Sequence, residues 1–348
     1  MHSSGGSYGS SWTREAVKDQ GRNRGPSAED IRHEMDALIR SDGPWTAHNI
    51  DLAPGVQTMG CAIEDLRLRR VLQIAADLAG KPLSELRVLD LGCLEGQFGL
   101  EFALHGSEVI AVEGREANLR KSRFAAKALG ASNMDLRYAD VRDLTVDDYG
   151  KFDVILCLGI LYHLDGEDAV QFIHSLANLC RGMLIIDTHI SLNPQASIEW
   201  NGDRYHGDFW TEYESGEREA EETEALWSSI GNDRSFLFTR ASLCNLLRHA
   251  GFTSVYECLN PYECHSPEWP HPPSDGAWLE WPDRMTFIAM KGQRVKLFTS
   301  AATDDSPEHE RPETPRYLDP ILPARAGMVA RLRRKVARTL MSKSTRRL

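Results

Sequence analysis

The chain is short of several things, and each shortage narrows what it can be. Across 348 residues no run approaches the ~18 apolar residues that a membrane-spanning helix needs. The opening stretch, MHSSGGSYGSSW, is polar and glycine-rich and has no apolar centre of a secretory signal. The expectation is a disordered segment over 1–26 and a cytoplasmic protein. No C-x-x-C pair occurs among the seven cysteines at 61, 93, 157, 180, 244, 258 and 264. An odd, scattered set reads as reduced thiols rather than a disulfide framework. Cys258, Cys264, His265 and His271 lie close in sequence but match no standard ligand spacing, so no metal is expected. Positive charge is in deficit, and a net −11 argues against a general nucleic-acid binder. Residues 324–348 are the exception, with nine Lys or Arg and no acid, so the remainder carries about −20, the −11 total less those nine.

What is present is ordinary for a soluble globular chain, at 41% hydrophobic and 26% charged. Ser27 followed by Asp30 forms a capping box for a helix carrying Ile31, Met35, Leu38 and Ile39 at helical spacing. A second helix is expected over about 63–79, closing a helical extension over 27–80. From there strands and helices alternate. LRVLDLG, SEVIAVEG, MDLRYAD, KFDVILCLG and GMLIIDT read as strands, with helices near 96–105, 116–129 and 166–180 between them. That alternation predicts an α/β architecture with a parallel sheet covered on both faces, and ligands at the carboxyl ends of its strands.

The alternation breaks at 190. Residues 190–235 are polar and aromatic, with Trp200, Tyr205, Phe209, Trp210, Tyr213 and Trp227, and read as a lid inserted into a domain spanning 81–292. A helix near 240–249 and two strands, FTSVYECL and RMTFIAMKG, complete the domain. An acidic, proline-rich linker over 293–323 leads to the basic tail. There Val329, Leu332, Val336 and Leu340 form one apolar stripe flanked by cations. Such a helix suits an anionic membrane surface or an acidic protein partner, which would make the protein peripheral to the membrane, or it folds back on the acidic core.

VLDLGCLEGQFG, 88–99, carries the chemistry. A dinucleotide fingerprint needs glycine at its second position so that backbone can meet a pyrophosphate. Here that position is Leu94, and Asp90 would set a negative charge beside phosphates. S-adenosylmethionine removes both objections, because it has no phosphate and its methionine end is cationic. The next strand ends on Glu113, 23 residues after Asp90, suited to accept from two ribose hydroxyls. The third closes on Asp140, suited to an adenine amino group, with Val141 beside it.

With three acids at three successive strand ends, the chain resembles the class I S-adenosylmethionine-dependent methyltransferases over about 84–292. The resemblance implies a Rossmann-like, seven-stranded sheet of order 3-2-1-4-5-7-6. It also implies that Asp90, Gly92, Cys93 and Gly96 border the methionine part, Glu113 the ribose and Asp140 with Val141 the adenine. Leu158 or Gly159 would pass near the transferred methyl. FDVILCLGILYHL (152–164) and DGPWTAHNIDL (42–52) are similar to the bacterial family that completes the wobble-uridine oxyacetate modification of tRNA. That family holds a carboxylated cofactor partly through a lysine where this chain has Asp42, so ordinary S-adenosylmethionine is expected.

His163 is a candidate base after the fourth strand, with Asp187 and His189 as rivals after the fifth. Tyr162, Arg204, Tyr205 and His206 are candidate substrate contacts. The expected activity is O-methylation of a hydroxyl or carboxyl on a small molecule, sugar or glycolipid. The alternatives are a tRNA wobble-uridine methyltransferase and a non-catalytic cofactor-binding scaffold.

Overall fold

The computed structural model describes residues 26–59, 66–213, 229–258 and 283–299. The basic tail, Trp227, Cys61, Cys264, His265 and His271 lie outside the described residues, as does the acidic linker beyond residue 299.

The first elements form the extension. Helix α1 (Ala28–Asp42) starts at the Ser27–Asp30 capping box, in which the Ser27 hydroxyl accepts from the Asp30 amide at 3.1 Å. A small hairpin, β1 (Asp51–Ala53) with β2 (Val56–Gln57), and helix α2 (Leu66–Leu78) follow.

The alternating segment then builds one seven-stranded sheet. Its strands are β3 (Arg87–Leu91), β4 (Glu108–Glu113), β5 (Met134–Tyr138), β6 (Phe152–Leu158), β7 (Cys180–His189), β11 (Ser254–Cys258) and β12 (Arg284–Met290). The order is β11-β12-β7-β6-β3-β4-β5, with β12 antiparallel to both neighbours and every other pairing parallel. This is the order the resemblance implied. The inner strands are nearly continuous apolar runs because both their faces are covered. Val88, Val154, Leu156 and Ile185 face Phe98, Phe102 and Phe124 on one side, beneath α3 (Gln97–Leu104) and α4 (Glu116–Leu129). Leu89, Ile155, Cys157 and Ile186 face the other side, beneath α6 (Gly166–Leu179) and α7 (Arg240–His249). A short helix, α5 (Val146–Tyr149), links β5 to β6.

The insertion is a small sheet of its own. Strands β8 (Ala196–Trp200), β9 (Asp203–Thr211) and β10 (Arg234–Phe238) pair antiparallel in the order β10-β9-β8. The β8–β9 turn is Asn201-Gly202, both at positive φ (52° and 92°), the two-residue turn whose twist matches a hairpin. One face of this sheet packs onto α6, where Ile198 Cγ2 would lie 2.9 Å from a Cβ on Gly166. Tyr205, Phe236 and Phe238 are buried there, while Phe209 and Trp210 stay more than a third exposed. Much of the aromatic content is therefore core. No helix among the described residues is long and apolar enough to cross a membrane.

Candidate active site

The turn after β3 reverses the backbone three times in five residues, at Gly92 (φ 55°), Leu94 (φ 49°) and Gly96 (φ 86°). Glycine adopts this region freely, whereas a leucine there is strained by ~1–2 kcal/mol. Leu94 is held by its N–H, which donates to Glu113 Oε2 at 2.8 Å. The glycines admit close neighbours. A Cβ on Gly92 would lie 2.2 Å from Ile160 Cδ1, and one on Gly96 would lie 2.0 Å from Ser122 Oγ.

Asp90 is 3% exposed, and its Oδ2 accepts from the Gly99 amide in the first turn of α3 at 2.8 Å. Burial pushes its carboxyl up to about 7, against that amide and helped by the Glu113 charge. Glu113 is 2% exposed and accepts from Leu94 through one oxygen and from the Arg115 amide, at 2.8 Å, through the other. Burial raises its carboxyl as well, against those two amides. Asp140 is different. Burial would raise it, but it caps the turn at Val141–Asp143 and takes the Arg142 guanidinium at 2.5–3.0 Å, which holds it below the usual carboxylate range. Cys93 and Cys157 are buried thiols. Burial raises both, Cys157 to about 12, so neither supplies a thiolate.

Glu95 sits inside the glycine turn and gave no signal in the sequence. It is fully buried and accepts from the amides of Thr46, Ala47 and His48 at 2.7–3.0 Å, with Lys121 Nζ at 3.7 Å. Lys121, also fully buried, donates to the Pro44 carbonyl at 2.6 Å. Residues 44–48 are thereby fastened to the cofactor turn. This gives the W-T-A-H stretch a structural role. Burial drives the His48 imidazole down to about 3, so it stays neutral and accepts from the Gln97 amide at 3.3 Å. Asp42 is ion-paired with Arg120, which lowers its carboxyl pKa. Its charge is therefore compensated and weighs less in cofactor choice than the sequence implied.

The other half of the sheet ends in a second cluster. Asp187 is 2% exposed, and its carboxylate takes Arg284 Nε at 2.6 Å and Nη2 at 2.5 Å, with Thr286 Oγ1 at 3.1 Å. Arg67 Nη1 stands 3.9 Å away, its guanidinium over the Phe98 ring. Burial alone would raise Asp187, but Arg284 and Arg67 outweigh it and hold it low. Its carboxylate is ion-paired with Arg284 and faces Arg67. His189 turns Nδ1 to Asp283 at 3.1 Å and presents Nε2 to Arg284 at 3.4 Å. His163 also turns Nδ1 to a carboxylate, Glu212 at 3.1 Å. Tyr162 lies between the two histidine rings, with centroids 4.3 Å from His163 and 4.8 Å from His189. Gly159 (φ 94°) ends the strand beside them, where a Cβ would lie 3.5 Å from the Tyr162 hydroxyl. Leu158, next to it, pairs with Asp187 in register.

Three sequence candidates fall elsewhere. Arg204 is exposed and paired with Glu199 across the hairpin. Tyr205 is buried against Phe238, with its hydroxyl 2.9 Å from His249 Nδ1. The His206 amide donates to Ser242 at 2.7 Å. From Arg204 near the start of β9 to Glu212 just past its end, eight extended steps cover about 26 Å at ~3.3 Å each, so the two lie at opposite ends of the strand.

Residues 88–182 match the family described as "Methyltransferase domain". The chain carries a class I S-adenosylmethionine-dependent methyltransferase domain. It is similar to the ubiquinone biosynthesis O-methyltransferase of Acinetobacter baylyi, 28% identical over 137 residues, covering 39% of this chain and 55% of that one. The enzyme of the same name from Bordetella parapertussis is 29% identical over 138 residues, covering 39% and 54%. The chain thus spans about half the length of these curated relatives. Among solved structures, the N-terminal domain of EvdMO1, crystallised in the presence of SAH and D-fucose, superposes with a TM-score of 0.55. It is 23% identical and covers 76% of this chain and 97% of that domain, which shows the shared fold. The likeness to the wobble-uridine family rests on its two motifs alone.

The site's own chemistry fits this cofactor. Asp90 and Glu113 are buried acids with raised carboxyls: Asp90 accepts from the Gly99 amide, and Glu113 from the Leu94 and Arg115 amides with Asn118 and the Arg115 charge also lowering it, so a further positive charge would be stabilised beside them. An ammonium and a sulfonium supply that charge, whereas a pyrophosphate would add to the repulsion. Asp90 with Gly92, Cys93 and Gly96 would hold the methionine part, Glu113 the ribose, and Asp140 with Val141 the adenine.

Proposed function

We propose that this protein is an O-methyltransferase whose acceptor is a hydroxyl on a sugar-bearing or other small molecule, with His163 as the general base. The carrying observation is the His163–Glu212 contact of 3.1 Å through Nδ1. A carboxylate at Nδ1 fixes the tautomer and ring plane and leaves Nε2 as the basic nitrogen. His189 has the same orientation at Nδ1, but its Nε2 faces the Arg284 guanidinium, which can only donate. Its Nε2 therefore serves as an acceptor from Arg284.

When bound, S-adenosylmethionine supplies a methyl group on a positively charged sulfur. Held by Asp90, Gly92, Glu113 and Asp140, it would offer that methyl carbon to the acceptor oxygen and would leave as S-adenosylhomocysteine. The hydroxyl proton passes to His163 Nε2, and Glu212 stabilises the imidazolium that results. Gly159 and Tyr162 border the place where the acceptor meets the cofactor, and in-line placement there supplies much of the rate. The names of the curated relatives support transfer to oxygen, and a fold neighbour crystallised with D-fucose makes deoxysugars the first acceptors to test.

The test is transfer of labelled methyl from S-adenosylmethionine to a panel of deoxysugar glycosides, phenols and carboxylic acids. His163→Ala should lower kcat by ~10²–10⁴ while leaving S-adenosylhomocysteine affinity unchanged. A carboxylate acceptor needs no base at neutral pH, so activity that survives His163→Ala would move the assignment from hydroxyl to carboxyl.

A further inference from the structure

Five residues of the insertion, Ser229–Asp233, touch both ends of the site. At the cofactor end, Ile230 lies across Gly114, the residue after Glu113. A Cβ on Gly114 would come within 2.8 Å of Ile230 Cδ1, so only glycine lets the side chain lie this close. Arg142, whose guanidinium embraces Asp140, reaches the Ile230 carbonyl with Nη2 at 3.3 Å. At the other end, Asn232 Nδ2 donates to the His163 carbonyl at 2.9 Å, and the Glu212 amide donates to the Asp233 carbonyl at 2.8 Å. The strap is stiff between these contacts. Ser229 is buried, its hydroxyl donates to the Asn232 carbonyl at 2.7 Å, and the Tyr213 hydroxyl donates to the Ser229 carbonyl at 2.5 Å.

We infer that the strap Ser229–Asp233 is a positioning element that ties occupancy of the adenine–ribose end of the cofactor site to the placement of His163 and Glu212. The inference rests on the reading of Glu113 and Asp140 as cofactor contacts and of His163 as the base. A group bound against Glu113 and Asp140 bears on Ile230 and Arg142. The strap passes a shift of either to Asn232 and Asp233, and so to both members of the His163–Glu212 pair. The coupling is reciprocal: whatever settles the acceptor end tightens cofactor binding by the same factor. Ile230, Arg142 and Asn232 do this without touching the reacting atoms.

The experiment uses the full-length protein labelled with 15N-histidine and S-adenosylhomocysteine as the probe. His163 ring signals are assigned by their loss in His163→Gln. In the wild type, saturating S-adenosylhomocysteine should displace these signals. In Asn232→Ala the displacement should be lost, while the probe still binds and saturates the site by calorimetry. A residue with only a structural role would not separate these two readouts. Arg142→Met, read at saturation, breaks the strap from its other end and should give the same loss, which covers the case in which Asn232→Ala fails to fold. A displacement that persists in the variants means the probe acts on His163 directly and overturns the inference. Binding without displacement in the wild type overturns it too and leaves the cofactor reading intact. Absence of binding overturns both.

Discussion

Asp90 and Asp187 are the same residue type, buried to 3% and 2%, at the ends of strands two places apart in one sheet. Their carboxyls move in opposite directions. Asp90 has a backbone amide and a like-charged neighbour, and is pushed up to about 7. Asp187 has Arg284 at 2.5 Å and Arg67 at 3.9 Å, and is held low. Burial and the Arg67 charge are common to both, so the difference is Arg284, which pairs with Asp187 alone. A buried acid that has its own arginine is part of the scaffold. A buried acid without one is free to take a charge that arrives with a ligand, as proposed for Asp90. On the proposed reading, the contrast divides the sheet into a cofactor half, β3 to β5, and an acceptor half, β6 with β7 and β12.

The sharpest way to break the comparison is to remove the compensated acid. Asp187→Ala leaves Arg284 without its partner in a mostly buried place. Breaking a buried pair from one side typically costs ~3–5 kcal/mol. Because Arg284 keeps 27% of its side-chain surface exposed, the lower end, ~3 kcal/mol, is expected from denaturant titration. An effect confined to kcat with unchanged stability would return Asp187 to the list of bases.

The uncompensated acid should behave in reverse. The Asp90 carboxyl is at about 7 in the folded protein against 3.8 ordinarily, so the folded state holds a proton that the unfolded chain releases. Its contribution to stability is complete below about pH 4 and is lost as pH rises through 7. Asp90→Asn keeps an acceptor for the Gly99 amide and removes the titration. The ligand-free variant should therefore be more stable than wild type at pH 8, by at most about 4 kcal/mol at 1.36 per pKa unit, with the gain vanishing by pH 4. Thermal melts at the two pH values measure it. An equal effect at both would mean that Asp90 is not carrying a buried charge.

The halves also differ in how much the sequence discloses. Asp90, Glu113 and Asp140 each close a strand that alternates with a helix, so position along the chain reports position at the sheet edge. Glu212 is 49 residues from His163 and arrives on the insertion, and Arg67 and Arg284 come from opposite ends of the chain. Nothing local announces those meetings. The insertion's strands were legible in part, because Asn201-Gly202 between two apolar–polar runs is a hairpin turn signal. Aromatic density hid it, since Tyr205 and Phe236 serve a core while Phe209 and Trp210 remain half outside it. Glu95 lies between the glycines of the turn with no partner near it in sequence, so its grip on residues 44–48 needs the three-dimensional structure.

Within the cofactor half, Glu113→Ala should weaken S-adenosylhomocysteine binding by ~1.5–3 kcal/mol, roughly tenfold to over a hundredfold, through loss of a charged acceptor. The same change frees the Leu94 amide at a strained turn, so Glu113→Gln is the control. Gln keeps one acceptor oxygen and should recover part of the affinity. If both variants bind as wild type does by calorimetry, the acid pair is architectural and the comparison with Asp187 collapses.

The smallest effect is expected at the far end of β9. Arg204 pairs with Glu199 across an exposed hairpin, with 60% and 67% of their side-chain surfaces open to solvent. Such pairs contribute ~0–1 kcal/mol because water screens them and ordering two long side chains offsets the gain. Arg204→Ala should leave kcat and KM unchanged and stability nearly so, for its Cα stands eight strand steps from Glu212. Its sequence context, N-G-D-R-Y-H, makes it look like a substrate contact, and the strand direction removes it from the site. A rise in acceptor KM in Arg204→Ala, with S-adenosylhomocysteine affinity constant, would show that an extended acceptor runs along the polar face of the inserted sheet. It would then reach well beyond the His163–Glu212 pair and need a binding surface that the strand-end acids do not supply.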